Sequence, residues 1–148
     1  EGRKPAGHAL MLAAWIANAL ALAFGAGLGV RALLDPAWAA RFVRLAADGQ
    51  GGGQAEFRAT YGGLFFALHA AALVLTLSYL AGGQHVVGLS AAGAAFVIGA
   101  GWGGAAFGRL IALWRDGADT PFNRLSVGVE TLMAAATVAP WAVWALAL

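Results

Sequence analysis

Residues 59–108 read ATYGGLFFALHAAALVLTLSYLAGGQHVVGLSAAGAAFVIGAGWGGAAFG, 50 residues without one Asp, Glu, Lys or Arg. A membrane-spanning helix needs about 20 mostly apolar residues. The stretch is too long for one span and suits two. Gly82-Gly83-Gln84-His85 supplies the turn between them. Working outward, Ala9 to Val30 is a second charge-free stretch, of 22 residues, with Asn18 as its only strongly polar side chain. After Thr120-Pro121, a helix start with an N-cap and proline at the first helical position, a fourth apolar stretch runs to the C-terminal end. The reading is an all-α, integral membrane four-helix antiparallel bundle forming one domain over 1–148, with spans at about 9–33, 55–81, 86–113 and 121–147.

Composition agrees. Of 148 residues, 61% are hydrophobic and 11% charged, against roughly 45–50% and about 25% in an ordinary soluble domain. Disorder and nucleic-acid binding are excluded on that ground. The chain has no cysteine, which removes disulfides, thiolate catalysis and cysteine-ligated metals. No cofactor is named by the pattern, and the glycine-rich stretches follow no strand and lack the lysine of a phosphate loop.

Between spans one and two, Asp35-Pro36 opens a short helix in which Trp38, Phe42 and Leu45 recur at helical spacing. This predicts an interfacial amphipathic helix, ended by the flexible run from Asp48 to Gly53. Span three is rich in glycine, which permits close helix contact in lipid; Gly25 and Gly29 do the same in span one. Trp15, Trp38, Trp102, Trp114, Trp141 and Trp144 read as an interfacial belt. Pro140 is expected to kink span four. Arg31, Arg41, Arg44, Arg58, Arg109, Arg115 and Arg124 fall on one side of four antiparallel spans, and Arg3 and Lys4 on the other. The positive-inside rule then places loops one and three in the cytoplasm and both termini outside.

The same topology brings the start of span two, the end of span three and the start of span four to one membrane face. Glu56, Arg58, Tyr61, Arg109 and Glu130 are expected to converge there. Glu130 lies about 13 Å along its helix at about 1.5 Å per residue, a depth where a lone carboxylate is costly. It calls for an Arg58–Glu130 or an Arg109–Glu130 contact. One reading is a ligand or proton site; the competing one is a buried ion-pair network that fixes helix register. His69 shares a helical stripe with Arg58, Gly62, Phe65 and Thr76. It reads as a neutral histidine with a hydrogen-bond partner, or else as a proton carrier or ligand to a tetrapyrrole metal. Asp116 and Asp119 are too few for a dedicated calcium site and read as a solvated, capping loop.

The run Glu56-Phe-Arg-Ala-Thr-Tyr-Gly-Gly, with Gly108-Arg109, Asp116-Gly117, Thr120-Pro121 and Glu130, resembles a bacterial family of small four-helix inner-membrane proteins of unassigned activity, loosely DoxX-like. The resemblance spans about Leu10 to Leu146 and implies a fold, a shared polar cluster and a bacterial inner-membrane location. It implies no substrate. The Trp-Arg-Asp-Gly-Ala-Asp stretch departs from the shorter Asp-Gly turn of that pattern.

Three functions remain open at this level. The first is non-enzymatic binding of a lipid or other lipophilic or amphipathic molecule at Glu56, Arg58, Tyr61, His69, Arg109 and Glu130. The second is an accessory or structural subunit of a larger membrane complex, respiratory or photosynthetic for example, or a homo-oligomer, joined through the span-three glycine face. The third is an intramembrane isomerase using Glu130 as proton carrier.

Overall fold

The structure is a computed structural model that describes residues 3–47 and 50–146. Asp48, Gly49 and Ala147, part of the expected loop and the expected end of span four, lie outside the described residues. The chain forms α1 (Arg3–Leu34), α2 (Pro36–Val43), α3 (Gly52–Glu56), a π-helical segment (Phe57–Leu64), α4 (Phe65–Leu80), α5 (His85–Arg115) and α6 (Pro121–Leu146), with no strand among the described residues. Gly52–Leu80 is one continuous helix through the π segment. Four helices are long and apolar enough to cross a membrane: Gly7–Leu34, Gly52–Leu80, His85–Arg115 and Pro121–Ala145.

Local chemistry explains the ends. Asp35 caps α2, its carboxylate accepting from the Trp38 amide at 2.8 Å, with Pro36 at the first helical position. Arg44 then takes a left-handed conformation (φ 61°) and stops α2 at Val43. The expected Trp38–Phe42–Leu45 stripe is therefore corrected at one end: Leu45 lies beyond the helix. Pro36 and Ala39 form the buried side of α2 and Phe42 is 48% exposed. Gly82, at φ 96°, turns the chain between α4 and α5. The Thr120 hydroxyl accepts from the Asn123 amide at 3.2 Å and caps α6 as the sequence predicts.

Two compact units divide the chain: residues 22–74, and residues 1–21 with 75–148. In the first, a Cβ on Gly25 would fall on the His69 ring, one on Gly29 would lie 2.5 Å from the Phe66 amide nitrogen, and one on Gly62 would lie 2.8 Å from Leu33 Cγ. As α1 advances from Gly25 through Gly29 to Leu33, its partner recedes from His69 through Phe66 to Gly62. The two segments are antiparallel, and their glycines let backbones touch. Below them Ala32, Ala39 and Phe57 form a small core.

In the second unit, Gly99 of α5 packs on Ala134 and Val138 of α6, and Arg109 meets Glu130, so these helices are antiparallel too. The glycines of α5 do less packing than the sequence predicts. Gly93, Gly101, Gly104 and Gly108 have no neighbouring atom within 4 Å of a would-be Cβ. Trp15 is covered by protein rather than open to its surroundings. It is 5% exposed and stands against Tyr79, ring centroids 4.8 Å apart.

Asn18, fully buried, is the polar pin of this unit. Its amide donates to the Thr137 carbonyl at 2.6 Å, and its Oδ1 accepts from the Thr76 hydroxyl at 2.8 Å. Pro140 removes the amide that would pair with the carbonyl four residues earlier; Asn18 binds the adjacent carbonyl, at the proline-disturbed turn. Substituting Asn18 with leucine strands the Thr76 hydroxyl and the Thr137 carbonyl. The expected loss is about 1–2 kcal/mol, at the upper end of side-chain hydrogen bonds in membrane proteins, read from unfolding in mixed micelles.

Candidate functional site

The six candidate residues fall into two groups, one in each unit. In the second unit, Arg109 on the last turns of α5 grips Glu130 on α6. Nε donates at 3.1 and 3.0 Å to the two carboxylate oxygens and Nη2 at 2.7 Å to Oε1. The side chain of Glu130 is 9% exposed and that of Arg109 33%. The pairing left open by the sequence is thus the Arg109 one. Nη1 also donates to Asn123 Oδ1 at 3.3 Å, and Asn123 Nδ2 to the Ala118 carbonyl at 2.7 Å. Asn123 ties the pair to the loop before α6, a link the sequence reading missed. Its position three residues after the Thr120 cap was the available signal. The arrangement is charge-compensated, and both Glu130 oxygens are occupied. Asp119 of the same loop and Arg124 of α6 form an exposed pair at 2.5 Å, and the Arg124 guanidinium holds the Asp119 carboxyl below the usual carboxylate range.

In the first unit, Arg58 lies in the π segment and is exposed. Its guanidinium donates through Nη1 to the Leu33 carbonyl, one of the last carbonyls of α1. Such carbonyls have no partner within their own helix, so the contact satisfies an acceptor without neutralising the charge. Glu56 takes a different partner, accepting from the Thr60 hydroxyl one turn on, at 3.3 Å. Among the described residues no carboxylate pairs with Arg58. Tyr61, 38% exposed, rests on Phe57 with ring centroids 5.6 Å apart. Arg31 of α1 lies over the Trp38 ring at 4.7 Å, so this unit also holds a second arginine beside aromatic surface.

His69 is buried, and its Nδ1 lies 2.7 Å from the Phe65 carbonyl, with Gly25 of α1 against the ring and the Phe65 ring 4.3 Å away. Of the expected stripe, Gly62, His69 and Thr76 are buried, Phe65 is half-buried and Arg58 is exposed; Ala72, outside that expectation, is buried as well. The π segment was not foreseen. π-bulges recur at functional sites, and Gly62-Gly63 is the only local hint.

Comparison with protein-family profiles, with curated proteins and with solved structures gives no match to this chain.

Proposed function

We propose that this chain is a small non-enzymatic integral membrane protein that holds an anionic amphipathic lipid by its head group at Arg58. In this reading the four long helices cross a bacterial inner membrane as an antiparallel bundle, α2 lies in the interface, and loops one and three face the cytoplasm. The observation that carries it is the state of Arg58: exposed, uncompensated among the described residues, and bound by one donor to a backbone carbonyl. A guanidinium has five donors in a planar fork suited to phosphate, so most of them remain for a head group. Exposed Phe42 and Leu34 and half-exposed Tyr61 in the same unit offer apolar surface to the tail.

The Arg109–Glu130 pair is read differently. Its charges cancel, so it acts as the register-fixing contact between α5 and α6. A proton-carrying Glu130, as an isomerase needs, would first have to leave Arg109. Native mass spectrometry from lipid-bearing micelles tests the proposal. The wild type retains an anionic phospholipid, Arg58→Ala loses most of that occupancy, and Arg109→Ala keeps it wherever it folds. Equal occupancy in the wild type and Arg58→Ala would remove the reading.

The second reading, an accessory subunit or homo-oligomer, draws on one feature. Gly93, Gly101, Gly104 and Gly108 lie within one helical face of α5, and all four have open space beside them. Mild purification yielding only a monomer would argue against it.

A further inference from the structure

Two arginines of the first unit are anchored on one small core. Ala32, Ala39 and Phe57 form that core, and Trp38 packs against it. Arg31 immediately precedes Ala32, and Arg58 immediately follows Phe57. The carbonyl that Arg58 holds belongs to Leu33, two residues beyond Arg31 and about 3 Å further along the α1 axis at about 1.5 Å per residue. Both arginines therefore stand at the C-terminal end of α1.

Arg31 is exposed, yet its head is held. Its Cζ lies 4.7 Å over the Trp38 ring. That ring is fixed in turn: the core supports it, Phe42 stacks on it with centroids 5.0 Å apart, and Asp35 caps its backbone amide. A cation over a ring face is stabilised without a counter-ion, so the contact leaves the charge of Arg31 uncancelled. The two described carboxylates of this unit are engaged elsewhere. Asp35 accepts from the Trp38 amide and lies 4.0 Å from Arg41, and Glu56 accepts from Thr60. Among the described residues neither carboxylate forms an ion pair with Arg31 or Arg58. The end of α1 thus presents two uncompensated guanidiniums, one tethered by a carbonyl and the other by an indole. Ordering flexible side chains opposes binding, and here both heads are ordered beforehand.

A guanidinium fork matches one phosphate. Two such forks anchored on one core match a head group with two. We propose, resting on the Arg58 reading, that the lipid held there carries two phosphates, and that Arg31 donates to the second while Arg58 donates to the first. Leu34, 76% exposed, lies between Arg31 and the capped start of α2 and offers its surface to the tail.

The test is competition, read by native mass spectrometry from dodecylmaltoside micelles, between two probes with the same dioleoylglycerol tail. One ends in a monophosphate and the other in a diphosphate. The wild type retains the diphosphate in preference by about fivefold, the upper end for an exposed charge pair. Arg31→Ala holds the two probes equally and keeps the monophosphate at wild-type occupancy. Arg31→Lys, which keeps the charge and loses the planar fork, retains part of the preference. Arg41→Ala, which removes a cation already beside Asp35, leaves the preference unchanged. Full preference in Arg31→Ala overturns the proposal, as does an equal loss in Arg41→Ala, which would mark general surface charge. Displacement of the lipid diphosphate by inorganic diphosphate at equal concentration overturns it too, because the tail would then contribute nothing. The two readings fail separately. If Arg58→Ala loses both probes while Arg31→Ala keeps the preference, only the two-phosphate assignment falls. If Arg58→Ala retains both probes, the Arg58 reading falls and this assignment with it.

Discussion

Replacing Arg109 by leucine is expected to destabilise the protein by about 3 kcal/mol, and replacing Glu130 by leucine as well is expected to restore most of that loss. The argument is one of asymmetry. Breaking a buried ion pair costs about 3–5 kcal/mol because one charge is left without a partner, whereas exchanging both members for apolar side chains is often neutral. Here the stranded group would be Glu130, whose side chain is 9% exposed. The single Glu130→Leu change costs less, about 2 kcal/mol, a figure set below that range because Arg109 is a third exposed and can extend its head towards water. It also keeps Asn123 as an acceptor. Reversible unfolding of the two single variants and the double variant in mixed micelles measures the coupling. Additive losses would mean that the two side chains act separately.

The second large effect is steric. Gly29→Val is expected to cost about 3 kcal/mol, the upper end of overpacking penalties. The new Cβ would stand 2.5 Å from the Phe66 nitrogen and 2.7 Å from its Cα. Those are backbone atoms, so no rotamer change relieves the overlap and the helices must part. Gly25, one turn earlier, would then lose its seat against His69. Gly27 is the control: it is exposed with no atom within 4 Å of its Cβ position, and Gly27→Val is expected to change stability by about 0.5 kcal/mol or less. Thermal unfolding of both variants in one detergent makes the comparison.

Much of this architecture is legible before any coordinates. Charge-free stretches mark the long helices because burying a charge in lipid is so unfavourable. Asp35-Pro36 and Thr120-Pro121 mark helix starts because capping is local chemistry, complete within four residues. Glu130's need for an arginine follows from its depth alone. What sequence spacing lacks is the register between helices that are distant in the chain. It left Arg58 and Arg109 as equal partners for Glu130. It identified Asn18 as the polar residue of span one without pointing to Thr137 and Thr76. It grouped Trp15 with the other tryptophans without pointing to Tyr79, which covers it. The π segment escaped for a related reason. Gly62, within it, packs on Leu33 of α1, a contact with no local signature. The open glycines on α5 show the converse: composition implied close packing, and among the described residues of α5 only Gly88, Gly99 and, more loosely, Gly103 approach another helix within 4 Å.

The central claim is that four helices cross a bilayer with Gly117 and the loop after α2 on one side and Gly83 on the other. The chain has no cysteine, so single-cysteine variants give a clean background. Cysteines placed at Gln50, Gly83 and Gly117 in sealed cells, probed with a membrane-impermeant thiol reagent, test it directly. The account predicts that only Gly83→Cys reacts from outside, and that Gln50→Cys and Gly117→Cys react once the cells are opened. Labelling of Gly83→Cys and Gly117→Cys from the same side, or recovery of the protein in the soluble fraction, would contradict it.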